Sequence, residues 1–367
     1  MNKVVRILGI RGVPAAHGGF ETFAERLALY LVDRGWRVVV YCQEEGLGDI
    51  RYDKWKGVER VIIPVRGDGS VSSVVFDWHA TRHASRFRDL CLTLGYNTAV
   101  FTALLRVRGL KNLINMDGIE WSRAKWGAVA KAWFWTNERL GCWLGTHLVA
   151  DHPEIKRHLA TRISAGKITV IAYGADRLTA MKALQGELAC LANERYLTVI
   201  ARPEPENSLL EIVSAFSAKP RGMKLVVLGK YDRAIPYHRD VLDAASSEVM
   251  FVGAIYDREV VGALRAGSVA YVHGHRVGGT NPSLVESMGA GNAVIAHDNR
   301  FNRWVVGDGA RYFADEAELV RLFDSLLGDA SVLSLLSVSA QARFEEFFTW
   351  DRILGQYEEL LEHHAEA

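Results

Sequence analysis

Two doubly wound α/β domains are predicted by three observations. Short apolar runs alternate with helical stretches, which is how strands and crossover helices of a parallel sheet read. The alternation restarts after residue 195. At 367 residues the chain is too long for one ordinary core, so two domains are the expectation. Ligands of such open sheets bind at the carboxyl ends of their strands, and glycine-rich loops follow several runs.

The elements follow in order. Residues 3–9 form an apolar first strand, then a Gly/Pro/Ala loop, then a helix over 20–34 with Phe23, Leu27, Tyr30 and Leu31 at helical spacing. Further strands are expected at 37–42, 61–65, 97–101, 113–116, 146–150 and 168–171. In the second half, strands are expected at 196–201, 224–229, 249–253, 269–272 and 293–296, with a helix over 208–216. Residues 176–194 are expected to link the halves, and 350–362 to form an amphipathic closing helix.

With 49% hydrophobic and 24% charged residues, the composition is that of a soluble globular protein. No apolar run is long enough to span a bilayer, and the first residues lack a signal-peptide layout. Cys42, Cys91, Cys142 and Cys190 are scattered and form no metal or disulfide pattern, which fits a reducing cytoplasm. Residues 1–175 carry a net charge of +9 and residues 176–367 carry −8. A basic half suits an anionic partner; chance asymmetry on two solvated faces is the alternative.

Five constellations are candidates for chemistry. First, Gly18 and Gly19 lie in a strand-to-helix loop and remove side chains where a backbone could approach a ligand, or serve only a tight turn. Second, Arg202 follows a strand and is placed to grip a diphosphate by forked hydrogen bonds, or to pair with Glu204 or Glu206. Third, Gly279, Thr280 and Asn281 open a helix whose free amides would receive a phosphate, while Glu286 would accept hydrogen bonds from a sugar diol. His273 and His275 precede that loop without a third metal ligand, so no metal site is expected.

Fourth, Asp117 ends an apolar strand and precedes Gly118, where it would orient an attacking hydroxyl or cap a helix. Fifth, Trp121, Trp126, Trp133, Trp135 and Trp143 are interleaved with Arg123, Lys125, Lys131 and Arg139. That composition fits a helix lying on anionic lipid, a stacking platform for sugars or nucleic acid, or plain core packing.

In this order the motifs resemble the GT-B glycosyltransferases, in particular the large retaining family 4 that uses nucleotide-sugar donors, and the likeness runs over the whole chain. Residues 171–176 (IAYGAD) resemble that family's interdomain IPNGVD segment, and 151–155 (DHPEI) its entry into the preceding helix. The resemblance implies two Rossmann-like domains facing a cleft. Residues 1–175 would be the acceptor domain, joined by a returning helix at about 346–367, and 176–345 the donor domain.

It further implies that Gly18 and Gly19 lie near the transferred sugar and that Gly253 holds the base. Arg202, Asn207, Gly279, Thr280 and Asn281 would bind the diphosphate side, with Glu286 on the ribose. Asp117, Glu120 and Trp121 would contact the acceptor, and Asp117 and Arg202 would be catalytic. Two positions depart from the family pattern: Gly278 stands where a first glutamate is usual, and Asn207 where a lysine is usual.

The variant motifs GGFET, ARPEPEN and VGGTNPSLVE are similar to a rhamnosyltransferase-like subgroup of surface-polysaccharide assembly. That likeness implies metal-independent, retaining transfer from dTDP-L-rhamnose to a glycan or polyprenyl-diphosphate-linked acceptor, without a cofactor or nucleic acid. The enzyme would work in the cytoplasm, at the inner face of the membrane. The alternatives are a UDP- or GDP-linked donor, a phosphorylase or epimerase, or an inactive nucleotide-sugar-binding protein.

Overall fold

A computed structural model describes residues 3–16, 18–178 and 183–366. It forms two compact units, Met1–Tyr173 with Trp350–Ala367, and Gly174–Thr349.

Among the described residues, the first unit is built on an eight-stranded sheet. Its strands are β1 (Val4–Leu8), β2 (Arg37–Glu45), β3 (Arg51–Trp55), β4 (Val58–Val65), β5 (Leu90–Leu94), β6 (Asn112–Asn115), β7 (His147–Ala150) and β8 (Ile168–Val170). Helices α1 (Gly19–Asp33), α2 (Ser70–Ala84), α3 (Ala103–Val107), α4 (Ala128–Leu144) and α5 (Pro153–Leu159) connect them. The spatial order is β3-β4-β2-β1-β5-β6-β7-β8, and all pairs are parallel except β3 with β4. The chain winds outward from β1 in both directions, which puts the strand-order reversal between β1 and β5.

Two features of this unit differ from the sequence-based expectation. Residues 97–101 are not a strand; Ala99–Thr102 is a 3-10 turn, and the true strand is Leu90–Leu94, buried at every position. Gly95, with φ +87°, ends β5, and the segment after it is held from outside the sheet: Thr98 Oγ1 donates to Asp77 and the Val100 amide to Asn137. Strand β3 (RYDKW) was not expected at all. Four of its five residues are exposed, as suits a charged edge strand. Lys56 (φ 46°) and Gly57 (φ 86°) both take left-handed backbone at the two-residue turn into β4, the requirement of a tight hairpin.

The second unit holds β9 (Tyr196–Ile200), β10 (Lys224–Leu228), β11 (Val249–Phe251), β12 (Ala270–His273), β13 (Ala293–His297) and β14 (Ala310–Phe313). Its helices are α6 (Leu209–Ser217), α7 (Pro236–Asp243), α8 (Arg258–Ala266), α9 (Pro282–Gly289), α10 (Arg300–Val306), α11 (Glu316–Leu326) and α12 (Ala330–Phe347). The parallel order β11-β10-β9-β12-β13-β14 is the 3-2-1-4-5-6 order of a nucleotide-binding sheet, with its reversal between β9 and β12. Leu197, Val199, Ile212, Phe216, Val227, Val272, Ile295 and Phe323 fill one face of the sheet.

Of the expected linker 176–194, residues 179–182 lie outside the described residues, and the later part belongs to this unit. There Leu191 is buried with Leu184 and Leu188 beside it, packed with Tyr196, Val226 and Leu228. The closing helix α13 (Trp350–Glu366) packs on the first unit, where Ile353, Leu354, Tyr357 and Leu361 are buried.

Candidate functional site

In the second unit, Arg202, Gly253 and the 278–281 loop all lie beyond the carboxyl ends of parallel strands: Arg202 after β9, Gly253 after β11, the loop after β12. Two of these three flank the strand-order reversal. The β9 and β12 loops are bonded into one rigid edge. A side chain at Gly274 would strike the Asn207 carbonyl oxygen at 2.1 Å, so only glycine allows this approach. The Arg276 amide donates to the Glu206 carbonyl (2.9 Å) and its Nε to Ser208 Oγ (2.8 Å).

Asn207 is buried, and its amide donates to the Arg202 carbonyl at 2.8 Å. Asn207 thus fixes the backbone that carries Arg202. The Arg202 side chain is exposed and makes no ion pair among the described residues, with Glu204 or Glu206 or otherwise. It is a cation available to a ligand.

Asn281 caps α9: its side chain accepts from the Ser283 amide at 3.0 Å, and Pro282 begins the helix. The helix start therefore has a defined direction, with amide hydrogens and the positive end of the helix dipole together. Thr280 is buried. Gly278 takes φ +136°, and nothing lies within 4 Å of where its Cβ would be, so the space at this position is open. Gly253, with φ +75°, is likewise open, and its carbonyl accepts from the Gly229 amide at 2.9 Å.

Glu286, one turn into α9, pairs with Arg265 at 2.6 Å. Arg265 was missed in the sequence. It lies at the end of α8, its side chain only 9% exposed, and its Nε has no hydrogen-bond partner among the described residues. It also donates to Ser283 Oγ (3.3 Å), which bonds the Tyr271 hydroxyl at 2.8 Å. An arginine after the small and apolar run Val260–Leu264 is the sequence signal it gives. His273 is buried, and burial together with neighbouring His275 and His297 holds it far below the usual imidazole range, hence neutral. Among the described residues no cluster of three His, Cys, Asp or Glu could hold a metal.

In the first unit, Gly18 and Gly19 open α1, while His17 lies outside the described residues. Glu25 accepts from the Ala15 amide at 2.6 Å and Glu21 from the Arg11 amide at 3.5 Å, tying the loop to the first turns of the helix. Asp117 follows β6 with φ 50°, a left-handed backbone rare outside glycine. It caps no helix. Its amide donates to Asn115 Oδ1 (3.0 Å), and Asn115 in turn donates to the Tyr357 hydroxyl on α13 (2.8 Å). Burial, reinforced by Glu120, pushes the Asp117 carboxyl above its usual range.

Glu120 is occupied: its oxygens accept from Arg123 and from Trp126 Nε1, both at 2.8 Å. The Trp121 indole donates to buried Glu138 at 2.8 Å, and its ring lines a 690 Å³ groove with Ser122, Lys131, Ala132, Trp135 and Thr136. The tryptophan-rich segment does not form one face. Trp121 and Trp126 are tied down, whereas Trp133, Trp135 and Trp143 on α4 are exposed.

Residues 2–176 match the model of a domain of unknown function, DUF1972. No curated protein matches the chain by sequence. Among solved structures, the chain is similar to a sucrose-phosphate synthase from Thermosynechococcus elongatus, with TM-score 0.83 at 17% identity over 99% of both chains. It is similar to Anabaena Alr3699/HepE, solved in complex with UDP, with TM-score 0.74 at 15% identity over 98% of this chain and 100% of that one. A UDP-forming α,α-trehalose-phosphate synthase from Burkholderia xenovorans, in complex with glucose-6-phosphate, gives TM-score 0.73 at 12% identity over 98% and 100%. With these neighbours, the two sheets and their flanking helices are the two Rossmann-like domains of the GT-B fold.

Proposed function

We propose that the chain is a glycosyltransferase that takes its sugar from a nucleoside-diphosphate donor. One observation carries the reading: Arg202, without an ion pair among the described residues, the Asn281-capped start of α9 and Glu286 stand at the carboxyl edge of β9 and β12, where open α/β sheets bind ligands. The Anabaena neighbour, solved with UDP and with UDP-glucose, supports a donor of this class.

In this mechanism the bond from the sugar anomeric carbon to the phosphate oxygen breaks, and a bond to the acceptor hydroxyl oxygen forms on the same face. The hydroxyl proton passes to the departing phosphate oxygen, so no strong protein base is needed. Arg202 and the amides of Gly279, Thr280 and Asn281 meet the charge growing on the diphosphate; preorganised donors of this kind are worth about 3–4 kcal/mol each. Glu286, held by Arg265, accepts from the ribose hydroxyls. Gly253 admits the base, and Asp117 orients the acceptor.

The motif resemblance favours dTDP-L-rhamnose as donor, retention of configuration, and a glycan or polyprenyl-diphosphate-linked acceptor at the cytoplasmic face of a membrane. A thermal-shift panel of dTDP, UDP, GDP and ADP with their sugars tests the donor. Ligand at a hundred times its Kd stabilises by about 2.7 kcal/mol, which a melt resolves. One nucleotide should raise the Tm, and Arg202→Ala should abolish both that shift and donor turnover. A flat panel would remove the reading. Nucleotide binding without turnover of any donor would replace it with a nucleotide-sugar-binding protein, the outcome to which Gly278 points.

A further inference from the structure

Two helices of the first unit expose apolar faces that one loop joins. On α4, Val129, Trp133 and Trp143 share a side at helical spacing and are 86%, 41% and 60% exposed; Trp135 flanks them at 46%. On α2, Val71, Val75 and Trp78 share a side and are 78%, 39% and 40% exposed. The loop after β5 bonds the two helices together. Trp78 packs edge-on against Phe101 at 5.4 Å, Thr98 donates to Asp77 at 2.8 Å, and the Trp133 indole donates to the Asn97 carbonyl at 2.7 Å. The result is a continuous surface bearing four tryptophans, far more apolar than the scattered exposed residues a soluble domain tolerates.

The exposed charges on the two helices have one sign, with Asp68 just before the start of α2. Lys131 and Arg139 lie on α4, with the Arg139 guanidinium 3.3 Å above the Trp135 ring, Lys125 precedes the helix, and Arg82 and Arg86 continue the exposed side of α2. The one acid of α4, Glu138, is buried against Trp121, His158 and Arg162, and the one acid of α2, Asp77, is engaged by Thr98. Indole rings with a polar tip, among cations and with no exposed acid on either helix, match the boundary between acyl chains and anionic headgroups.

We infer that α2, α4 and the loop between them form a docking face for an anionic lipid bilayer. This deepens the surface-glycan reading above, because it would bring the enzyme to a lipid-linked acceptor. No helix among the described residues is long and apolar enough to cross a membrane, so the face lies on the bilayer.

The test is co-sedimentation of the full chain with vesicles of phosphatidylcholine, either pure or containing phosphatidylglycerol, without nucleotide. Binding is expected with the anionic vesicles only, and should fall steeply between low salt and about 1 M, where the Debye length shrinks to about 3 Å. Val129→Ser with Trp143→Ser, and separately Lys125→Glu with Lys131→Glu, should each weaken partitioning by about tenfold or more. Both variants should keep the wild-type far-UV circular dichroism and nucleotide affinity. Equal binding to neutral and anionic vesicles, or no binding by folded protein, overturns the inference. So does a dimer that the same substitutions dissociate, which would assign the face to a second copy. Since no donor is present, none of these outcomes bears on the transferase reading, which the nucleotide panel decides by itself.

Discussion

Asp117 holds a left-handed backbone that costs a non-glycine residue on the order of 1–3 kcal/mol, and surrounding bonds from Asn115 and Tyr357 keep it there. Such strain with a carboxyl raised by burial fits the acceptor role proposed for it. Asp117→Asn should leave nucleotide affinity unchanged and lower kcat by about 10²-fold, the cost of a mispositioned acceptor. Because its carboxyl is raised, it protonates above the ordinary value of about 3.9. Activity of the wild type should therefore fall on acidification earlier than an unperturbed aspartate would dictate, and the Asn variant should lose that limb of its kcat profile. The Arg265–Glu286 pair belongs to the same scale. A lone glutamate on a helix means little, but one fixed by a buried arginine is aimed.

Elements gain meaning through what joins them. The 97–101 segment is held to α2 by Thr98 and to α4 by Asn137 and Trp133. Burial raises the Asp77 carboxyl in that junction to about 6. A carboxyl raised on folding favours the protonated state, so its cost is absent below its unfolded value near 3.9 and is fully felt above about 6. The Asp77 contribution should therefore grow more favourable as pH falls from 7 toward 5, opposing His83 and His147, which burial holds at about 4 and which cost stability over the same range. Asp77→Asn keeps the acceptor for Thr98, and should stabilise the protein at pH 7 by about 1–2 kcal/mol while removing that contribution. Urea titrations at pH 5 and 7 check both statements. At α9, Asn281→Ala removes the cap and should cost about 1 kcal/mol in the same titration.

At the scale of the molecule, the first unit is discontinuous in sequence: α13 returns from residue 350 to cover it. Phe23 and Tyr357 rings meet at 4.6 Å, and Tyr357 closes the hydrogen-bond chain to Asp117. Removing residues 350–367 should unfold the first unit and leave the second, residues 174–349, intact. Differential scanning calorimetry should then show one remaining transition that the preferred nucleoside diphosphate still raises.

By itself the sequence determined the fold class and most strands, because buried parallel strands are continuous apolar runs and their loops carry glycines at the ligand edge. It also placed Arg202, Gly253 and residues 279–281 at strand ends. Where an element is stabilised by contacts distant in sequence, local pattern misled: residues 97–101 carry strand-forming types yet are claimed by side chains of α2 and α4, and the charged β3 pairs only because the turn at Lys56 and Gly57 folds it onto β4. Tertiary structure alone decided that Asn207 shapes the Arg202 loop, that Glu120 is spent on Arg123 and Trp126, and that Arg265 holds Glu286. A hydrogen bond depends on where two atoms meet in space, and spacing along the chain reports that only within a single strand or helix.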